Sequence, residues 1–279
     1  MGKVIGVCNQ KGGVGKTTTS VNLSASLASA HKKVLMIDLD PQGNATTGSG
    51  IDKNNLEWTV YDVLAQESPI QQAIQTTAFQ YDVLPANGDL TAAEVLLLTQ
   101  ARKEFRLKEA LSDVVDQYDF VIIDCPPSLN MLTVNALVAA NSVMIPMQCE
   151  YYALEGLASL IDTINTIRES LNPELQIDGL LRTMFDPRNS LSNDVSRHLL
   201  EQFPSQVYRS IIPRNVRLAE APSHGLPVSI YDKKSRGAIA YLMLAGELIR
   251  RKLSHSEEKI IEALESTTEE SVPAEVASA

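Results

Sequence analysis

No apolar run in the chain reaches the roughly 18 residues that a membrane-spanning helix needs. Met1-Gly2-Lys3-Val4-Ile5 lacks the long apolar stretch and small-residue cleavage site of a signal peptide. Gly2 alone does not make a myristoylation signal, because Gly6 stands where that motif wants Ser or Thr. The cytoplasm is therefore the expected compartment. Cysteine is scarce: Cys8, Cys125 and Cys149 lie in apolar surroundings without Cys-x-x-Cys spacing. An odd count without pairing fits reduced, buried thiols rather than a disulfide framework. The histidines, His31, His198, His224 and His255, are scattered, which argues against a zinc site.

What is present suits a globular protein with a sizeable core: 44% hydrophobic and 21% charged residues over 279 positions. That length allows one large α/β domain or two small ones. The net charge of −10 is unevenly spread. Residues 257–279 hold seven Glu and one Lys, a net of −6, whereas residues 182–252 hold twelve Arg or Lys against six Asp or Glu, a net of +6. Such asymmetry marks an interaction surface, so global acidity does not exclude nucleic acid.

Short apolar runs alternate with helical spacing. Val4–Cys8, Val34–Ile37, Tyr81–Pro85, Phe120–Asp124, Ser142–Pro146, Leu175–Leu181 and Gln206–Ser210 read as strands. Helices are expected from Lys16 to about Ala30, over Arg102–Gln117 and over Leu154–Leu171. Continuous apolar strands separated by helices imply an α/β fold with a twisted, mostly parallel β-sheet flanked by helices on both faces. No repeat or long linker divides it, so residues 1–253 are expected to form a single domain. Residues 254–279 are expected to form an acidic, disordered C-terminal tail. A short amphipathic patch, Ile260–Leu264, extends the last helix on this reading, with disorder beyond it.

Asn9-Gln10-Lys11-Gly12-Gly13-Val14-Gly15-Lys16-Thr17-Thr18 follows a strand and opens a helix, the context of a P-loop. Glycines let backbone N–H groups turn toward phosphate oxygens, and the helix N-terminus adds its positive dipole end. Gly12, Gly13, Gly15, Lys16, Thr17 and Thr18 would cradle ATP, with Lys16 on the β- and γ-phosphates and the Thr17 hydroxyl on Mg²⁺. The common consensus wants Gly where Gln10 stands, and Lys11 is an additional lysine. Lys-Gly-Gly-x-Gly-Lys-Thr resembles the deviant Walker A box of ParA/MinD-class ATPases. That resemblance implies that Lys11 reaches the partner subunit's nucleotide in a dimer sandwiching two ATP molecules, as an arginine finger would. Asp124, ending an apolar strand, fits a Walker B carboxylate that holds a Mg²⁺-bound water. Asp40, after Asp38-Leu39, would orient the attacking water. Either could be a helix N-cap, but their position at strand C-terminal ends favours the site. Asp38 reads as ambiguous, a site residue or a structural neighbour.

The resemblance narrows over about residues 1–252. Asp38-Leu39-Asp40-Pro41-Gln42-Gly43-Asn44-Ala45-Thr46, Asp124-Cys125-Pro126-Pro127-Ser128-Leu129, Gln148-Cys149-Glu150-Tyr151-Tyr152-Ala153-Leu154-Glu155-Gly156 and Ile212-Pro213-Arg214-Asn215-Val216-Arg217-Leu218 are similar to chromosomal ParA proteins of the Soj type. It implies a DNA-segregation ATPase: an ATP-dependent homodimer that binds double-stranded DNA non-specifically, is released on hydrolysis stimulated by a ParB-type partner, and is nucleoid-associated when ATP-bound. It also implies Pro213 and Asn215 as adenine-pocket residues, and Arg188 and Arg217 as DNA contacts. The residues themselves agree, since Arg188, Arg217, Lys233, Lys234 and Arg236 lack interleaved aromatics, which suits phosphate contacts rather than base stacking. Arg182 and Arg214, near strand ends, read as structural, and Tyr151 and Tyr152 as packing residues. Two other classes were weighed. A membrane-positioning ATPase like MinD needs a basic C-terminal helix, but here Glu257, Glu258 and Glu265 flank the apolar patch. A metabolic enzyme on the same loop, an iron-protein reductase or ATP-dependent ligase, would in the first case need exposed cluster-binding cysteines.

Overall fold

The apolar runs fold into one eight-stranded sheet in the computed structural model, which describes residues 2–269, with side chains through residue 253. The strands are β1 (Lys3–Val7), β2 (Val34–Asp38), β3 (Gln75–Thr76), β4 (Asp82–Leu84), β5 (Phe120–Asp124), β6 (Ser142–Gln148), β7 (Gln176–Phe185) and β8 (Val207–Pro213). Their order across the sheet is β3-β4-β2-β5-β1-β6-β7-β8. Every neighbouring pair is parallel except β3 on β4, a two-residue antiparallel edge that periodicity did not indicate.

Alternation along the strands builds two cores. Val34 and Met36 of β2, with Phe120 and Ile122 of β5, join one face, and Leu35, Ile37, Val121 and Ile123 join the other. The first face is covered by α1 (Lys16–Ser29) and α2 (Asn44–Gly48). The opposite face carries α3 (Val60–Ala65), α4 (Ile70–Ala73), α5 (Leu90–Thr99), α6 (Arg106–Ser112), α7 (Met131–Ala139), α8 (Ala153–Ser170) and α9 (Ser190–Gln202). The chain then returns to the first face with α10 (Val216–Glu220), α11 (Val228–Tyr231) and α12 (Arg236–Glu269). The strands progress from β1 toward one edge through β2 and β4, then from β6 toward the other through β8. This reversal opens a crevice at the C-terminal ends of the central strands, where open α/β sheets bind ligands.

Two local readings are corrected. Arg102–Gln117 is not one helix: 3₁₀ turns at Lys103–Phe105 and Val115–Gln117 flank α6. The cause is tertiary. Buried Asn135 of α7 accepts from the Leu107 N–H at 3.1 Å and donates to the Lys103 carbonyl at 2.8 Å, so these backbone groups are satisfied outside a continuous helical ladder. The last helix runs through the Ile260–Leu264 patch to Glu269. The expectation of disorder beyond the patch falls mainly on residues 270–279, outside the described residues.

One close approach ties distant parts of the first face. Gly50 and Gly225 both adopt positive φ, +78° and +63°. A Cβ built on Gly50 would come within 3.1 Å of the Gly225 carbonyl oxygen, and one on Gly225 within 3.3 Å of the Gly50 Cα. The segment following β2 therefore rests directly on the turn that follows α10.

Candidate active site

The phosphate loop is stitched to its surroundings through its backbone. Gly13 and Gly15 hold φ of +75° and +90°, conformations that a side chain would strain. A Cβ at Gly12 or Gly13 would meet nothing within 4 Å, so the concave side of the loop is open. The Asn9 amide donates to the Pro146 carbonyl at 2.8 Å, and its side-chain oxygen accepts from the Lys11 N–H at 3.0 Å. From β7, buried Thr183 donates its hydroxyl to the Val14 carbonyl at 2.7 Å. Thr183 is followed by Met184 at φ +47°, a left-handed conformation unusual for a long side chain inside a strand. Lys16, 7% exposed, extends its ammonium to the Lys11 carbonyl at 3.2 Å and so spans the loop.

Beneath the loop lie two fully buried carboxylates. The parallel register sets Asp38 of β2 beside Asp124 of β5, and Asp124 beside Val7 of β1. Asp38 is saturated: its Oδ2 accepts from the Thr46 N–H and hydroxyl, both at 2.8 Å, and its Oδ1 from the Asp40 N–H at 3.1 Å. Asp38 is thus the anchor joining β2 to α2. Asp124 differs. Its Oδ1 accepts from the Ser20 hydroxyl at 2.9 Å, while Oδ2 is buried with no partner. Burial first, then the neighbouring Asp38 carboxylate, push Asp124 up to about 8, against the nearby Thr17 and Ser20 hydroxyls. Burial also lowers Lys16, with the Asp124 charge as the largest opposing influence. An orphaned carboxylate oxygen next to the Thr17 hydroxyl fits a hydrated divalent cation. Thr17 would ligate Mg²⁺ and Asp124 would hold one of its waters. The ion would neutralise charge on the β- and γ-phosphate oxygens. Asp40 is half-buried at the mouth, where its Oδ1 accepts the Gln42 N–H at 3.0 Å. Its carboxylate faces the same crevice end as Asp124.

The other sequence candidates fall into two groups. Pro213 ends β8 beside Phe185 of β7, and Asn215 caps α10 with a buried, unpartnered Oδ1. Arg188, Arg217, Lys233, Lys234 and Arg236 are exposed. Arg188 makes a two-point contact with Asp186, at 2.9 and 2.7 Å. Arg217 lies 2.8 Å from Glu220 and 3.3 Å from Asp232, which places it next to the Lys233-Lys234 turn. An open groove of about 500 Å³ adjoins this region, lined by Phe185, Pro187, Pro213 and Arg236 among others. Arg182 is structural as read: its guanidinium donates to Ser196 at 2.9 Å and to the Tyr208 carbonyl at 3.0 Å.

Two side-chain readings are overturned. Arg214 is exposed, just past the end of β8, and its charge helps to hold Asp186 down. Tyr151 and Tyr152 are not packing residues: they are 72% and 68% exposed and meet edge to face at 5.1 Å. Sequence reasoning also missed Ser20, Thr46, Thr183 and Glu150, the last 2.6 Å from the Lys11 ammonium. Ser20 was findable, one helical turn after Lys16 on the face toward Asp124. The others depend on chain crossings that spacing cannot show.

Comparison with known proteins agrees with this geometry. Residues 2–177 match the model of an AAA domain family. The chain is 53% identical over 249 residues to the sporulation initiation inhibitor protein Soj of Bacillus subtilis, covering 89% of this chain and 98% of that protein. It is 52% identical over 252 residues to the chromosome partitioning protein ParA of Myxococcus xanthus, covering 90% and 89%. Among solved structures it is similar to a Mycobacterium smegmatis protein named cobyrinic acid a,c-diamide synthase, bound to ADP and magnesium. There the TM-score is 0.81 and the identity 39%, covering 91% of this chain and 97% of that one. No helix among the described residues is long and apolar enough to cross a membrane. With half its residues shared with Soj and ParA across nine-tenths of its length, and with a deviant phosphate loop set over an orphaned aspartate, the chain belongs to the ParA/Soj family of P-loop ATPases and uses ATP with Mg²⁺.

Proposed function

We propose that this ATPase segregates DNA. In this reading ATP joins two copies, the joined copies bind double-stranded DNA without sequence preference, and hydrolysis stimulated by a ParB-type partner releases them from the nucleoid. The observation that carries it is the placement of Lys11. Its side chain is 42% exposed at the rim and turned to Glu150, whereas Lys16 alone spans its own loop. A lysine at the rim, not engaged with its own loop, can be offered to a second copy's phosphates once it leaves Glu150, where it would offset charge developing in the transition state. Asp40 aligns the attacking water, and Pro213 and Asn215 flank the adenine. Arg188, Arg217, Lys233, Lys234 and Arg236 meet DNA phosphates, and residues 1–253 suffice for the ATPase domain.

The test is the mass of an Asp40→Ala variant with and without ATP, followed by its binding to arbitrary duplex DNA across a salt series. A dimer that forms only with ATP, binds DNA and weakens steeply with salt is expected. A variant that stays monomeric at saturating ATP, or hydrolyses ATP normally, would sink the reading. The Mycobacterium structure favours a rival, ATP-dependent amidation of cobyrinic acid. Incubation with cobyrinic acid, ATP and ammonia or glutamine, read by mass spectrometry, separates the two, and no amide product is expected.

A further inference from the structure

Glu150 stands in the turn between β6 and α8, where its own backbone is fixed from both sides. Its N–H donates to the Gln148 carbonyl at 2.9 Å, and its carbonyl accepts from the Ala153 N–H at 3.0 Å. From that turn its carboxylate reaches 2.6 Å from the Lys11 ammonium, with both side chains about half exposed. Neighbouring bonds hold the same two segments together: Asn9 to the Pro146 carbonyl, and Gln10 to Ser159 of α8 at 3.3 Å. Lys11 is therefore not a loose side chain at the rim. It is docked on an anion supplied by its own subunit.

We propose that Glu150 is a positioning residue that parks Lys11 in the single subunit, so that engagement of a second copy's phosphates requires Lys11 to exchange one anion for another. This rests on the reading of Lys11 as acting in trans. An ammonium can face one anionic cluster at a time at hydrogen-bond distance. The Glu150 carboxylate, with a single negative charge, competes with the several charges of a triphosphate, so the exchange runs toward the dimer while holding stray association down. Exposed pairs of this kind contribute up to about 1 kcal/mol, about fivefold each, and a dimer exchanges two of them, so the ceiling is about 25-fold in the dimerisation constant. The parking contact tunes dimerisation and does not forbid it.

The experiment is sedimentation velocity with a non-hydrolysable ATP analogue, giving the protein concentration at which half the chains are paired. Four proteins are compared: the unmodified chain, Glu150→Gln, Lys11→Ala and the double variant. Glu150→Gln is expected to lower the midpoint about two- to twenty-fivefold, and the double variant to match Lys11→Ala. Glu150→Asp retains the charge but withdraws the carboxylate by one methylene, so it is expected to fall on the Gln side of the unmodified chain. An unchanged or raised midpoint in Glu150→Gln would overturn the parking role. So would a gain that persists without Lys11, since that would be a general effect of charge on nucleotide binding. If Lys11→Ala pairs as the unmodified chain does, the failure belongs to the trans-lysine reading.

Discussion

The two ends of the chain's chemistry are built differently. Beneath the phosphate loop Lys16 and Asp38 are buried and fixed by backbone, Lys16 by the Lys11 carbonyl and Asp38 by the Thr46 N–H, and the loop itself is tied by the Thr183 hydroxyl. On the basic surface the charged groups are exposed and held only by neighbouring carboxylates, Arg188 by Asp186 and Arg217 by Glu220 and Asp232. The first arrangement recognises a single shape, a chain of phosphates ending at a metal. The second offers mobile charge at low cost of rearrangement, which suits a polyanion with no fixed register. Even within one residue type the contrast holds, since Arg182 is a buried strut and Arg217 an exposed one.

Substitutions sharpen this contrast. Lys16→Ala should cause the largest loss, weakening nucleotide binding about a hundredfold or more, because buried phosphate charge loses its paired donor. Equilibrium dialysis with labelled ATP checks it. Arg182→Ala should cost roughly 2–4 kcal/mol of stability in urea unfolding, since Ser196 and the Tyr208 carbonyl lose their donor.

Asp124→Asn should act in opposite directions with and without ligand. Asp124 binds its proton more tightly in the folded chain, so its contribution is full below the ordinary carboxylate range near pH ~4. That contribution is lost as pH rises through about 8. The uncharged variant should therefore melt higher than the unmodified apo chain, by an amount growing across that window to on the order of 2–6 °C. Mg²⁺ and ATP should reverse the order, and differential scanning fluorimetry reads both. Arg217→Ala should be the mildest: stability within about 0.5 kcal/mol of the unmodified chain, with the salt slope of DNA binding reduced by about one. A stability loss there as large as that of Arg182→Ala would erase the distinction between the two regions.

The same contrast explains what could be read without coordinates. The loop's place between β1 and α1 was legible because phosphate recognition by backbone demands particular residues at fixed spacing after a strand, and the places of Asp124 and Asp40 were legible because each closes an apolar run. The parallel sheet and its two covered faces were legible because both faces of each central strand are apolar. The broken Arg102–Gln117 segment was not, because Asn135, remote in sequence, supplies the groups that interrupt it. Nor was the Glu150–Lys11 pair, which joins positions 139 residues apart. Nor was the exposure of Tyr151 and Tyr152, because apolar mass alone does not place a side chain in the core, and the turn after β6 leaves both rings exposed.

The contact between Gly50 and Gly225 bears on how this protein can change over generations. Two backbones meet there with no side chain between them, and both are in conformations disfavoured for other residues. A side chain at either position would press on the other's backbone, so the stretch after Asp40 and the stretch after Arg217 form a matched pair of surfaces although they are distant in sequence.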